Sequence, residues 1–439
     1  MIEILPPDAS IYETLPNVKL RPETAYVPSQ YALPFEHRGK AYVFHTLTKQ
    51  CICGTLPASA KAGAEHDDLI SARFLIPSGQ DECAFYLSVS SLMRLFSRKK
   101  GSSSYTIMPT LGCNARCVYC YEQGMKQTVM TPAAADQVVR FIMETHGENE
   151  VRLAWFGGEP LLCPETIDRI CNGLREAGLA FCSSMVTNGS LITPEIIRKM
   201  VHDWNLDFIQ VSMDGSETDY ISRKQYYVYH DYYHKVMEAV SAMSEAGIPV
   251  SIRCNVDEKN WDGTSRFLQD LQAGIKNKQH VSLYFDLLDH VRRGENDARM
   301  WAKIVEARGK IESAGFRTGL MNKLVKGFCI SHCLADAGGM VIAPDGSLYA
   351  CEHCPPESRF GDIWHGVTDE QCRNVFCRAD RPREECHNCP FLPYCTGFAS
   401  CPVRETHCKD SRKLITLDLL KRRIDNINNE TTDVDVPVC

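Results

Sequence analysis

The sequence predicts an α/β protein with a small α+β domain ahead of its core and a thiol-rich segment behind it. Three observations carry that reading. From Tyr105 to about Leu288, short apolar runs alternate with segments of helical periodicity, the pattern of parallel βαβ units. Residues 1–100 lack that alternation. Of the 22 cysteines, ten fall between Cys329 and Cys401, with Cys408 just beyond.

Residues 1 to about 30 are rich in proline and polar side chains and are expected to be irregular or edge structure. Tyr42–Thr46 reads as a strand, residues 64–73 as a helix, and Phe74-Leu-Ile76 ends at the turn Pro77-Ser-Gly79. Phe85, Val89, Leu92 and Phe96 then recur at helical spacing. Strand, helix, wing and helix suit a winged-helix-like domain, which leaves a strand edge open to an extended peptide. A cap over the core is the alternative. Arg98–Ser104 reads as a linker.

In the core, strands are expected at Tyr105–Thr110, Val151–Phe156, Phe181–Val186, Phe208–Ser212, Pro249–Arg253 and Leu283–Asp286. Thr131-Pro132 and Thr193-Pro194 each pair an N-cap with a proline at the first helical position, so helices start there. Val236, Val240 and Met243 share a helical face that Gly247 terminates. The domain boundaries follow as 1–100, 105–290, 325–410, and a closing helix and tail over 411–439.

A net charge of −7, with no basic cluster longer than Arg98-Lys99-Lys100, argues against a nucleic-acid partner. No signal-peptide layout opens the chain, and no apolar run reaches the roughly 18 residues of a membrane span. A cytoplasmic location is the expectation. In a reducing compartment, thiol clusters more often bind metal than form disulfides.

The first strand leads straight into Cys113-Asn-Ala-Arg-Cys117-Val-Tyr-Cys120. Three thiolates at C-x3-C-x2-C spacing fit three corners of a 4Fe–4S cluster and leave one iron open. From spacing alone a zinc knuckle is the alternative. With Tyr119 before its third cysteine, this loop resembles the signature of radical S-adenosylmethionine (SAM) enzymes. The resemblance implies a partial (β/α)6 barrel whose active site lies at the carboxyl ends of the strands. It also implies that the open iron binds SAM. Reductive cleavage of SAM to a 5′-deoxyadenosyl radical then removes a substrate hydrogen.

Further motifs fit that resemblance. Gly157-Gly158-Glu159-Pro160 follows the second strand and resembles the family's GGE motif, which contacts the SAM amino group. Its glycines allow close backbone approach, and Glu159 could set the turn and face a positively charged amine. Thr187-Asn188-Gly189 follows the third strand and resembles a turn near the methionine and ribose of SAM. Asn-Gly is also a favoured turn dipeptide in its own right. Ser212 ends the fourth strand, within reach of ribose or carboxylate. Arg223, in the loop beyond it, would hold the SAM carboxylate, with Arg253 as its rival. The stretch Tyr226–Tyr233 reads either as a packed loop or as the lining of a peptide channel.

The C-terminal cysteines resemble the SPASM extension, which holds two auxiliary 4Fe–4S clusters. Carried over by position, Cys329, Cys333, Cys351 and Cys401 would hold one cluster, and Cys386, Cys389, Cys395 and Cys408 the other. Five residues separate Cys395 from Cys401, where the family usually has three, and Cys354 competes as a ligand. A zinc ribbon is the alternative from spacing. Glu352, beside Cys351, matches an acidic residue that accepts a proton in sulfatase-maturing relatives.

The resemblance spans roughly residues 105–408. It implies an enzyme that modifies a ribosomally synthesised precursor peptide with a leader, forming a thioether or carbon–carbon cross-link. Three 4Fe–4S clusters, SAM and a flavodoxin or ferredoxin reductant go with it. The competing expectations are a sulfatase-maturing enzyme that makes formylglycine, and a non-catalytic iron–sulfur electron carrier.

Overall fold

The computed structural model describes residues 3–5, 15, 18–97, 104–147, 150–228, 231–288, 297–318, 333, 335–376, 382–395 and 411–428. By contacts the chain divides into two compact units. One comprises Met1–Arg98, Met321–Ala337 and Arg378–Val434; the other comprises Lys99–Leu320, Gly338–Cys377 and Asp435–Cys439.

In the first unit, β1 (Glu3–Leu5), β2 (Ala25–Pro28), β3 (Ala32–His37), β4 (Lys40–His45), β5 (Cys51–Cys53), β6 (Ala60–Lys61) and β7 (Leu75–Pro77) are joined by α1 (Asp67–Ser71) and followed by α2 (Glu82–Ser97). The strands form two antiparallel sheets, in the orders β1-β5-β4-β3 and β6-β2-β7. Arg38 and Gly39, both at positive φ, make the two-residue turn between β3 and β4, which suits the twist of a hairpin. The closing helix Ser411–Asn428 lays Leu420 and Ile424 against Phe35, Tyr42 and Phe44.

Beneath β2 and β3, Ser29 Oγ donates to Glu82 Oε1 (2.6 Å) and lies 3.1 Å from His45 Nε2, while Gln30 N donates to Glu82 Oε2 (2.6 Å). Ser29, His45 and Glu82 are all buried, and these bonds meet the polar groups that burial would otherwise strand. Seven described strands here exceed what the sequence suggested. Strands of two to four residues offer too few positions for a period-two alternation to show.

The second unit holds the α/β core. Six strands, β8 (Ser104–Thr110), β9 (Val151–Gly157), β10 (Phe181–Thr187), β11 (Leu206–Ser212), β12 (Val250–Val256) and β13 (Val281–Leu287), pair in parallel in chain order. Between them run α3 (Pro132–Thr145), α4 (Pro164–Glu176), α5 (Pro194–His202), α6 (Glu217–Lys224), α7 (Tyr232–Glu245) and α8 (Thr264–Gly274), with α9 (Asp297–Ser313) after β13. β14 (Arg317–Thr318) extends the β13 edge. At the other edge β15 (Met340–Ile342) pairs in parallel with β8. Beyond it, β16 (Ser347–Tyr349), β17 (Gly361–Asp362) and β18 (Gly366–Val367) continue antiparallel, giving an eleven-stranded mixed sheet.

The helix starts lie where the sequence put them. Thr131 Oγ1 accepts from Ala134 N (3.2 Å) and Thr193 Oγ1 from Ile196 N (3.3 Å). Val236, Val240 and Met243 are fully buried on α7, and Gly247 follows its end at φ 83°. β12 runs three residues past the expected Arg253, and Cys254, Asn255 and Val256 are all buried.

Candidate active site at the carboxyl ends of the strands

Six parallel strands bring their carboxyl ends to one edge of the sheet, and the sequence motifs lie just beyond Thr110, Gly157, Thr187 and Ser212. The cysteine loop is docked there through its backbone. Arg116 N donates to the carbonyls of Lys224 and Gln225 (both 3.0 Å), and Val118 N to that of Arg223 (3.0 Å). These are carbonyls at the end of α6, which have no partner inside the helix. Tyr227 N closes the contact on Asn114 O (3.1 Å).

The glycines of the next motif serve this loop. A Cβ on Gly157 would lie 2.3 Å from Thr110 O, and one on Gly158 2.2 Å from Gly112 O. Gly158 N donates to Thr110 O (3.1 Å) and Glu159 N to Gly112 O (2.9 Å). The close approach expected toward a ligand is thus, in part, an approach of backbone to backbone.

Glu159 is fully buried, and its carboxylate accepts from Leu161 N (3.1 Å), Thr187 Oγ1 (2.7 Å) and Asn188 N (2.8 Å). Burial pushes its pKa up against those three hydrogen bonds. The carboxylate thus faces inward, onto the turn. Asn188 Oδ1 in turn accepts from Ser190 N and Oγ (2.9 and 2.6 Å), and its Nδ2 reaches Asn114 Oδ1 (2.9 Å) and Cys113 Sγ (3.9 Å). Three successive motifs therefore interlock.

Tyr119, between the second and third cysteines, enters a buried polar network. Its hydroxyl donates to Asp214 Oδ2 and accepts from Asn255 Nδ2 (3.2 Å) and Lys224 Nζ (3.3 Å). Lys224 Nζ also donates to Ser212 Oγ (2.7 Å) and pairs with Asp214 Oδ2 (3.5 Å). Burial works against the Lys224 charge, but Asp214 together with the neighbouring Tyr119, Cys117 and Tyr226 outweighs it and holds the ammonium protonated. Asp214, Lys224 and Asn255 were not singled out from the sequence, although Asp214 stands two residues after Ser212.

Arg223 lies in the last turn of α6, not in a loop as expected. Ser216 and Asp219 cap that helix reciprocally, so Ser-x-x-Asp was the signal for it. The Arg223 guanidinium is buried, gives Nη1 to Asp257 (3.1 and 3.2 Å), and lies 5.4 Å from the Tyr119 ring centre. Its Nε and Nη2 have no hydrogen-bond partner among the described residues. The rival Arg253 gives Nη2 to Asp286 (2.7 Å). Of the aromatic stretch, Tyr226 meets Tyr220 through their hydroxyls (2.7 Å), Tyr233 donates to Asp270 (2.9 Å), and Tyr227 is exposed under Arg116.

In the second unit Cys351 and Cys354 share a turn, with Cys354 N on Cys351 O (3.1 Å). Glu352 Oε2 accepts from Cys351 Sγ (3.4 Å), and the His353 ring lies 4.4 Å from that of Tyr121, next after Cys120. In the first unit Cys386, Cys389 and Cys395 follow one another on successive reverse turns, and Cys333 is exposed. Cys329, Cys401 and Cys408 lie outside the described residues.

The profile of the radical SAM superfamily matches residues 107–270. Those residues are a radical SAM domain. Among related proteins, the AdoMet-dependent heme synthase of Methanosarcina barkeri is 23% identical over 66% of this chain and 88% of its own length. The radical SAM cyclopropyl synthase TigE of Paramaledivibacter caminithermalis is 23% identical over 74% of each chain. A serine-type anaerobic sulfatase-maturating enzyme of Klebsiella aerogenes is 24% identical over 68% of this chain and 80% of its own.

Two solved structures show the same fold. The enzyme anSMEcpe with bound AdoMet and the Cp18Cys peptide gives a TM-score of 0.58 at 18% identity, over 75% of this chain and 99% of that one. Streptococcus suis SuiB bound to S-adenosylmethionine gives 0.51 at 11% identity, over 88% and 99%.

A radical SAM domain implies a 4Fe–4S cluster and SAM, and the residues present fit both. The C-x3-C-x2-C spacing of the three loop thiols fits three corners of such a cluster. Burial pushes all three thiols up, Cys113 to about 11, so a metal charge is what would hold them as thiolates. The open Nε–Nη2 edge of Arg223 is a fork that suits a carboxylate.

Proposed function

We propose that this radical SAM enzyme modifies a ribosomally synthesised peptide in the cytoplasm, closing a thioether or carbon–carbon cross-link. The observation that carries the reading is the folded N-terminal segment ahead of the cysteine loop, in which β3 is an edge strand of its sheet. An edge strand offers backbone groups to an extended leader peptide. The peptide bound in anSMEcpe supports a peptide substrate for this fold.

In this reading Cys113, Cys117 and Cys120 hold the SAM-binding cluster. Tyr119, Gly157, Gly158, Thr187, Asn188, Ser212 and Arg223 surround the SAM site. Cys329, Cys333, Cys351 and Cys401 hold one auxiliary cluster, and Cys386, Cys389, Cys395 and Cys408 the other. When bound and reduced, by a flavodoxin or ferredoxin, the cluster and SAM supply a carbon radical able to take a hydrogen atom. The protein's own part is to place and hold. Glu159 fixes the turn under the cysteine loop, Arg223 receives the carboxylate, and Glu352 takes the proton released as the substrate radical is oxidised.

The test is anaerobic incubation with SAM, dithionite and short cysteine-containing peptides encoded beside the gene. Cross-linking removes two hydrogen atoms, so the peptide mass should fall by that amount as 5′-deoxyadenosine accumulates. The likeness to a sulfatase-maturating enzyme favours a second reading, formylglycine formation. An aldehyde on a sulfatase peptide, with no change in the neighbouring peptides, would select it. An electron carrier would make no 5′-deoxyadenosine at all.

A further inference from the structure

The buried pair Asp214–Lys224 has no role in the reading above. Lys224 is almost fully buried, yet its ammonium is aimed at the cysteine loop. Its nitrogen meets the Tyr119 hydroxyl, Ser212 Oγ and Asp214. Its carbonyl meanwhile holds Arg116 N of the same loop. Main chain and side chain of one residue thus both face the cysteines. Arg223 and Arg253, two further cations near this edge, are each paired with a carboxylate, Asp257 and Asp286, and Arg116 of the loop itself lies over the Tyr227 ring.

Burying a charged pair is expensive, and a pair of apolar side chains of similar size would often be as stable. Stability alone therefore does not explain Lys224. Adding an electron to a thiolate-held cluster adds negative charge. A fixed cation in the low-dielectric interior favours that reduced state more than one in water could.

We propose that Lys224 is the cation that sets the reduction potential of the cluster held by Cys113, Cys117 and Cys120, with Asp214 tempering its charge. This rests on the reading that those thiols hold an iron–sulfur cluster. Lys224 acts through its charge and through Tyr119, without touching substrate.

The test is an anaerobic redox titration of the reconstituted full-length protein, followed by EPR, with iron per chain and circular dichroism measured on each variant. Lys224→Met should lower the midpoint potential enough to cut the reduced-to-oxidised ratio at least tenfold at a fixed potential, which is about 59 mV for one electron. Asp214→Asn should shift it in the opposite direction, and Lys224→Arg should restore the wild-type value. Shifts of the same sign in the Met and Asn variants, or no shift in either, overturn the proposal. Should Lys224→Met fail to load iron, Asp214→Asn decides alone: an upward shift supports the assignment and an unchanged potential defeats it. A wild-type protein that forms no iron–sulfur signal would overturn the underlying reading instead, which is a different result.

Discussion

Gly158 lies so close to Gly112 that a Cβ on it would sit 2.2 Å from the Gly112 carbonyl oxygen. The obstacle is backbone, not the end of a flexible side chain, so nothing nearby can swing aside. Gly158→Ala should push the turn after β9 away from the cysteine loop and break the bond from Glu159 N to Gly112 O. The expected cost is roughly 1–3 kcal/mol, the usual penalty for overpacking. Iron per chain after reconstitution should fall with it. Gly309→Ala is the contrast, because its Cβ would meet nothing within 4 Å on helix α9. That change should stabilise by up to about 1 kcal/mol. Equal melting temperatures and iron contents for the two variants would refute the packing argument.

The Glu159 carboxylate joins two motifs 28 residues apart, through Thr187 Oγ1. In Glu159→Gln one oxygen can still accept from Thr187 and Leu161, but the amide nitrogen then faces Asn188 N, donor against donor. An unmet buried donor costs about 1–3 kcal/mol. A double-mutant cycle with Thr187→Val should show a coupling of about 0.5–3 kcal/mol. Additive effects in urea unfolding would mean that the two side chains do not share the turn.

The first unit should be acid-sensitive because of His45. Burial lowers its ring pKa from 6.5 to about 3, and Nδ1 accepts a hydrogen bond from Thr48 N. In the unfolded chain the ring takes a proton near 6.5; in the folded chain it does not until about 3. The folded state is therefore at full advantage above pH 6.5. It loses about 1.4 kcal/mol per pH unit as pH falls below that value. Denaturant unfolding between pH 7.5 and 5 should show this slope, and His45→Gln should flatten it. An equal slope in His45→Gln and in the wild type would remove His45 as the cause.

The strands of the core were legible because each is long and buried on alternating or both faces, as in Val250–Val256 and Val281–Leu287. The threonine–proline helix starts were legible because capping chemistry is local. What sequence periodicity hid was short or polar. α6 spans eight residues and buries Arg223 and Lys224 beside Tyr220, so its apolar signal is faint. The strands of the first unit are mostly two to six residues long. At the site, the cysteines and glycines stood out by spacing, and the structure brings Cys113, Asn114, Glu159, Thr187 and Asn188 together through bonds between neighbouring motifs. The Tyr119–Asp214–Lys224–Asn255 network did not stand out. Its members come from four different segments, and only the pairing of β11 with β12 and the docking of α6 bring them within reach.

Arg223 gives the sharpest test of where SAM sits. One nitrogen is committed to Asp257, while Nε and Nη2 are buried without a partner among the described residues. An empty fork of this kind is costly unless an anion fills it. Arg223→Lys keeps the charge and can still reach Asp257, but an ammonium cannot present two parallel donors to a carboxylate. Its SAM affinity should drop by at least tenfold, about 1.4 kcal/mol, while iron per chain stays at the wild-type level. Equilibrium dialysis of the oxidised, cluster-loaded protein measures this without turnover. Arg253→Lys is the matched control, since Nη2 of Arg253 is already taken by Asp286 and its Nε alone is buried without a partner among the described residues. If the Arg253 variant loses affinity and the Arg223 variant keeps it, the carboxylate belongs on β12 and the open edge of Arg223 serves another anion.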